Sequence, residues 1–284
     1  GFEAHWDGCK WRGKITQKGA RSVDFQDIHA VWWRRPVEPL LSAITDRGVR
    51  KWAQDESFTG YTTILSGLSA RFLNHPDAMN LASNKPQQLV VASSVGFRTP
   101  ETLVTHAPES ARSFIERHAK SGVALKPMKN MRILASDGVE RVLYTSPVHH
   151  SDLGDGDECA AALHQFQEYI AKHLEIRVTV VAEQVFAAEI HSQASEHTRY
   201  DWRNYDIPRT PHWVHQLPQA VRNKCVEIVR QLGLEFGAID LVLTPEGEYV
   251  FLEINPNGQW QWIEVLTGLQ ISGAVCDRLA ELDL

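Results

Sequence analysis

Residues 237–260, GAIDLVLTPEGEYVFLEINPNGQW, constrain the fold more than any other stretch. Two runs rich in β-branched and aromatic residues flank TPEG, the pattern of an antiparallel hairpin. Pairing about the point between Glu246 and Gly247 sets Thr244 opposite Tyr249, Val242 opposite Phe251 and Asp240 opposite Glu253. Asn255 then shares the face of Glu253 by the two-residue period of a strand. A three-residue loop would shift this register. Directly opposed like charges destabilise a sheet, and two such carboxylates repel or share a proton unless a positive charge lies between them. A divalent cation is the economical answer. Three oxygen donors suit Mg²⁺ or Mn²⁺ rather than zinc. The plainer reading, acids on a solvated sheet face, is weakened by Asn255 and by the NPNG turn that follows.

Cations elsewhere fit the same picture. GVALKPM places Lys126 inside an apolar strand, where a bare ammonium is costly to bury. A phosphate oxygen is its most useful partner there, against the alternative of a lysine snorkelling from an edge strand beside Pro127. In EIRVTVV, Arg177 and Thr179 share one strand face and Ile176, Val178 and Val180 the other. Arginine offers a rigid fork to carboxylate or phosphate oxygens; a salt bridge to Glu189 across the hairpin is the competing partner. Lys85, after Asn84 at a helix start, says little alone.

The remaining chain organises around these strands. A first region, 1–83, opens Gly-Phe-Glu rather than Met and directly in a hairpin, AHWDGCKWRGKI, so it reads as an incomplete domain. It continues with a strand at HAVWWRR and a helix through YTTILSGLSARFL. A second region, 84–164, has a helix from NKPQQLVVASS, a strand after Pro100, a helix over 109–120, and strands at VALKPM, MRILAS and RVLYTSPV. A third, 165–284, holds two hairpins, a helix over 218–232 and a final helix at ISGAVCDRLAEL. Without strict strand–helix alternation, this is an α+β fold around antiparallel sheets. Trp260 and Trp262 read as core packing ahead of a pocket wall.

Composition narrows the function. A net charge of −6 over 284 residues argues against a nucleic-acid partner. No apolar run approaches the roughly 20 residues that cross a bilayer, so no membrane partner is expected. Four dispersed cysteines form neither a disulfide framework nor a zinc site, which fits a reducing cytoplasmic location.

NKPQQLVVASSVGFRTPETLVT, VALKPM, FQEYI with EIRVTVV, and GAIDLVL with GEYVFLEINPNGQW occur in the order of the ATP-grasp fold. The resemblance covers the chain from Asn84 onward. Within that superfamily the chain resembles the ATP-grasp maturases of ribosomal peptides, which make graspetides such as microviridins. AVWWRRP resembles the end of that family's pre-ATP-grasp domain, while EIHSQAS and DWR resemble the segment between its two hairpins.

That resemblance implies two α+β subdomains clasping ATP. Lys85 and Lys126 would be the ATP-binding lysines, and the strand QEYI the hinge, with the backbone of Glu168, Tyr169 and Ile170 binding adenine. Arg177 would meet the γ-phosphate and the acyl-phosphate as the catalytic group together with Lys126. Asp240, Glu253 and Asn255 would hold Mg²⁺, with Mn²⁺ as an alternative ion. Asp201 and Arg203 match an Asp-x-Arg motif that engages a ribosomally made precursor peptide, leader and core. A homodimer is compatible with the family. One departure stands out: where many relatives carry a glycine-rich phosphate loop, this chain reads KPMKNMRI.

The implied reaction is ADP-forming. ATP phosphorylates an Asp or Glu side chain of the peptide, and a hydroxyl or amine of the same peptide displaces phosphate to close a macrocyclic ester or amide. No general base is evident, leaving proximity to do much of the work. Two alternatives stand beside this one: a ligase joining a free amino acid or short peptide to an amine, and a nucleotide-binding module without catalysis.

Overall fold

A computed structural model of the chain describes residues 1–17, 19, 21–129, 132–204 and 206–281. A three-stranded sheet, β1 (Phe2–Trp6), β2 (Trp11–Thr16) and β3 (Ser22–Asp24), opens the chain with the expected hairpin. β4 (Ala30–Val31) pairs in parallel with β5 (Arg71–Phe72), and helix α1 (Arg47–Ser66) lies between them in sequence. Two expectations fail here. HAVWWRR forms a strand only at Ala30–Val31, because Trp32 and Arg34 turn away to stack on Trp260. The helix ends at Ser66, where Gly67 caps it, so that 71–72 pairs as strand.

Helices α2 (Pro76–Ala82) and α3 (Lys85–Ser94) follow, the latter capped by the Asn84 side chain. A four-stranded antiparallel sheet comes next, built from β6 (Thr102–Thr105), β7 (Val123–Lys126), β10 (Ser146–Val148) and β11 (His164–Glu168) in the order β10-β7-β11-β6. Helices α4 (Pro108–Arg117) and α5 (Asp157–Ala161) cover one face, burying Phe114, Val148 and Phe166 between them. The exposed hairpin β8 (Arg132–Leu134) and β9 (Glu140–Val142) projects from this sheet. RVLYTSPV is therefore two strands rather than one. Asn130 and Met131, part of the loop that lacks glycine, fall outside the described residues.

The last region is a five-stranded antiparallel sheet of β12 (Leu174–Val181), β13 (Gln184–Ile190), β14 (His212–Val214), β15 (Phe236–Leu243) and β16 (Tyr249–Asn255), ordered β14-β13-β12-β15-β16. Ile176, Val178 and Val180 point to one face, as their spacing predicts, and pack with Ile239 and Phe251 against α3 and α6 (Gln219–Gln231). On the other face, Val181, Ala188 and Phe236 meet Trp260 and the helices α7 (Gln261–Thr267) and α8 (Ile271–Ala280). At the far end of this second face lie Ile170, Val242, Val250 and Leu252. Between the two apolar ends runs a charged stripe.

The hairpin of β15 and β16 reaches the expected acid pair by an unexpected route. Its tip pairs Leu243 with Tyr249, Val242 with Val250 and Leu241 with Phe251, one residue off the predicted register. The reason is the loop: the Thr244 amide donates to the Glu248 carbonyl at 2.9 Å, enclosing three residues instead of two. A bulge at Leu252 then restores the offset, so Asp240 does face Glu253 and Ala238 faces Asn255.

Two buried amides fix this edge strand. Gln88 on α3 accepts from the Ile254 amide at 3.1 Å and donates to the Ile254 carbonyl at 2.8 Å and to Ala82 at 2.7 Å. The helix that starts with Lys85 is thereby pinned beside Glu253. Asn74 donates to the carbonyls of Phe236 and Pro256 and accepts from the amides of Glu235 and Phe236. Replacing Gln88 by Leu keeps the volume but strands two backbone groups of Ile254, each worth about 1–3 kcal/mol when buried unpaired. A loss of roughly 2–4 kcal/mol in urea unfolding is expected.

Candidate functional site

Charged residues singled out in the sequence gather at one cleft between the two larger sheets: Lys126, Asp201, Arg203, Asp240 and Glu253 line it, and Arg177 and Lys85 join them through Asp240 and Glu253. Lys126 comes from β7, Arg177 from β12, Asp240 from β15, Glu253 from β16, Lys85 from the start of α3, and Asp201 and Arg203 from the loop after β13. The cleft encloses about 540 Å³ free of protein atoms, counted out to its open mouth. One end is walled by Glu168, Tyr169, Ile170, Val242 and Leu252, and the other by the charged side chains.

The charged end is an alternation of signs. Glu253 Oε2 lies 3.2 Å from the Lys85 ammonium, and Arg203 Nη1 donates to Glu253 Oε1 at 3.0 Å. Arg203 also clasps Asp201 through Nε and Nη2, both at 2.7 Å. Arg177 Nη1 donates to Asp240 Oδ1 at 2.8 Å, since the two residues are direct neighbours across β12 and β15. The salt bridge from Arg177 to Glu189 does not form. Glu189 is opposite Ile176, on the other face, and lies beside His191. The positive charge demanded by the acid pair is thus supplied by Arg177, Arg203 and Lys85.

Burial sets the protonation states. For Glu253, burial alone would raise the carboxyl, yet Arg203, then Lys85 and Lys126, outweigh it and hold it well below the usual carboxylate range. Asp240 goes the other way: burial pushes it up, Arg177 opposes, and the Glu253 charge adds to the rise. Lys126 is 8% exposed, on a strand inside its sheet rather than at an edge. Burial lowers its pKa, and Lys85 and Arg203 reinforce this against the pull of Glu253. Its ammonium has no hydrogen-bond or ion-pair partner among the described residues. A buried ammonium that makes no hydrogen bond is costly, and Glu253 offsets that cost only in part.

The donor chemistry admits magnesium. No cluster of three or more acidic, histidine or cysteine side chains forms a cage among the described residues. A cation bound to Asp240 and Glu253 would take the rest of its shell from water and phosphate oxygens, which is how Mg²⁺ is usually held. Asn255 is the outlier of the expected set: its Oδ1 accepts from the Asn257 amide at 2.9 Å, closing the turn after β16.

At the apolar end, QEYI is only partly strand, because β11 stops at Glu168. The Glu168 amide donates to the Glu101 carbonyl at 2.8 Å and the Tyr169 amide to Gly122 at 3.0 Å. Both donors are therefore spent inside the protein.

A family model described as "RimK-like ATP-grasp domain" matches residues 82–279. The chain belongs to the RimK-like ATP-grasp family. Among solved ATP-grasp structures, a Chryseobacterium gregarium RiPP-associated ligase in complex with ADP and a leader and core peptide superimposes with a TM-score of 0.89. It is 30% identical, over 100% of this chain and 87% of that one. The macrocyclase MdnC of Microcystis aeruginosa, bound with precursor peptide MdnA, gives 0.86 at 30% identity over 98% and 86%. A curated relative, the tetrahydromethanopterin:alpha-L-glutamate ligase of Methanocaldococcus jannaschii, is 23% identical over 74% of this chain and 70% of its own length.

Several residues around the cleft carried no signal in the sequence. Lys172 donates to Glu175 Oε1 at 3.0 Å and to the carbonyls of Arg199 and Tyr200, tying the segment after β11 to the loop that bears Arg203. Glu175 is buried, and burial raises its pKa against the pull of Lys172. Gly258 packs so tightly that a Cβ there would meet Arg177 Nη2 at 2.6 Å and the Ala238 Cβ at 2.3 Å. A glycine following NPN was the one available hint. Trp260 is core, 5% exposed, as its sequence context suggested.

Proposed function

We propose that the chain is an ADP-forming ATP-grasp ligase that activates Asp or Glu side chains of a ribosomally made precursor peptide and closes intramolecular ester or amide rings. The observation that carries this reading is Lys126, a buried ammonium lining the cleft that makes no hydrogen bond or ion pair among the described residues. Beside it, Arg177, Arg203 and Lys85 surround the acid pair. Support for a peptide substrate comes from the likeness to the macrocyclase and the RiPP-associated ligase.

ATP lies with its base on Ile170, Val242 and Leu252 and its phosphates at the charged end. The base is read through hinge carbonyls and the Ile170 amide, because the Glu168 and Tyr169 amides are already engaged. Lys126 and Arg177 take the transferring phosphoryl group and offset the repulsion between a peptide carboxylate and a polyanion. Asp240 and Glu253 would hold magnesium, which would supply charge neutralisation at the phosphates; Mn²⁺ has the same donor preference. Arg203, freed in part from Glu253, meets the peptide carboxylate while Asp201 keeps it oriented. The acyl-phosphate is then attacked by a Thr, Ser or Lys side chain of the same peptide, and phosphate leaves.

Mass spectrometry of a precursor peptide co-expressed with the enzyme tests this directly. A loss of one water mass per ring is expected, with one ADP released per ring. A peptide of unchanged mass, with ATP consumed only when a free amino acid is added, would reject it.

A further inference from the structure

Arg34 and Arg35, in the segment after β4, have no part in the scheme above. The Arg34 guanidinium carbon lies 4.1 Å from the ring centre of Trp260 and 5.0 Å from that of Trp32. Trp260 is itself fixed, buried and donating from Nε1 to Ser272 Oγ at 3.3 Å. Arg35 Nη2 is 3.5 Å from the Asn257 carbonyl. Both arginines therefore sit on the turn that follows β16, the turn whose Gly258 packs against Arg177. Neither has an acidic partner among the described residues. Burial lowers the Arg34 pKa and the neighbouring Arg35 charge lowers it further, with no carboxylate acting against them. The backbone adds to the cost. Arg35 has φ 46°, the left-handed region that residues with a Cβ rarely adopt, and it precedes Pro36, which favours extended backbone before it. Residues held in such conformations cluster where ligands are gripped. Solvation of two surface charges rewards none of these features.

We propose that Arg34 and Arg35 form a carboxylate-binding platform, outside the nucleotide cleft, for acidic side chains of the peptide substrate. The inference rests on the ligase reading given above, in which that peptide bears Asp or Glu. A guanidinium fork matches the two oxygens of a carboxylate. Arg34, held against the indoles, acts as a fixed charge, while the exposed Arg35 supplies the free fork. The turn continues the strand of Glu253, so a peptide anchored there by one acid is held close to the charged end of the cleft.

The test uses the full chain and two labelled peptides, one of alternating Thr and Glu and one of alternating Thr and Gln, titrated by fluorescence anisotropy at low salt. Wild type is expected to prefer the Glu peptide, and the preference should shrink as salt is added. Arg35→Gln should weaken binding of the Glu peptide about tenfold, the size of a hydrogen bond to a charged group, and leave the Gln peptide unchanged. Arg35→Lys, which keeps the charge without the fork, should recover part of the loss. Equal wild-type affinity for the two peptides overturns the proposal, as does an Arg35→Gln protein that binds the Glu peptide as tightly as wild type. An equal loss of affinity for a non-hydrolysable ATP analogue in Arg35→Gln would assign the pair to phosphate and overturn it as well. The ligase reading is decided separately, by the mass of a co-expressed precursor peptide. An unmodified precursor, with the Glu preference intact, would sink that reading and leave the platform in place.

Discussion

Glu253→Gln abolishes ring formation, with turnover down by at least about 10²–10³-fold, while binding of the precursor peptide persists. Glu253 is where the cleft's charges converge: Lys85 and Arg203 contact it, and Lys126 feels it. A neutral amide of the same shape removes a charge that faces all three cations together. It also costs folding energy, because removing one member of a buried ion pair typically loses about 3–5 kcal/mol. Peptide affinity by calorimetry, ADP release and a urea melt on the same variant separate these effects. Retained cyclisation would end the assignment of Glu253. The same carboxylate predicts an acid limb in stability. Its folded pKa lies below the ordinary glutamate value of about 4.3, so its contribution is complete above that pH and is lost as pH falls through the folded value.

Lys126→Ala has the second large effect. It deletes the ammonium best placed for a phosphate, and a loss of about 10²–10³-fold in kcat/KM for ATP is expected. Folding should change little, because the relief of burying an ammonium that makes no hydrogen bond is offset by the loss of its attraction to Glu253. That combination, a folded but inactive protein, distinguishes a binding cation from a structural one. The sign of the pKa shift adds a further test. Burial lowers the Lys126 pKa, so the free enzyme loses this proton at a pH below the ordinary lysine value of about 10.4. The KM for ATP should therefore rise on the alkaline side before ordinary lysines titrate. A variant without Lys126 lacks that limb.

Much of the site was legible because its chemistry is local to strands. Asp240, Glu253, Lys126 and Arg177 each break an apolar alternation, and the two-residue period assigns them a face without any tertiary information. The same reasoning failed where partners come from distant segments. It offered Glu189, across the hairpin, as a competing partner for Arg177, when the partner across the next strand was Asp240. Arg203 was tied to peptide by resemblance alone, and nothing in DWR shows that its guanidinium bridges Asp201 and Glu253. Gln88 and Asn74 were invisible for another reason. An amide inside a helix or before a turn looks like surface until the backbone it satisfies is in place. In the first region, HAVWWRR reads as strand by propensity, but stacking of Trp32 and Arg34 on Trp260 overrides it.

The extra residue at Leu252 gives β16 two phases. Toward the tip, even-numbered side chains look into the cleft; past the insertion, odd-numbered ones do. Leu252 and Glu253, adjacent in the chain, therefore both line the same cavity, which regular alternation forbids. A single strand can in this way present grease and charge side by side, a hydrophobic seat and, one step on, a carboxylate that holds the cations of the charged end. Excising Leu252 would leave the carboxylates facing one another and empty only the seat. Loss of base discrimination without loss of triphosphate affinity is the signature to look for.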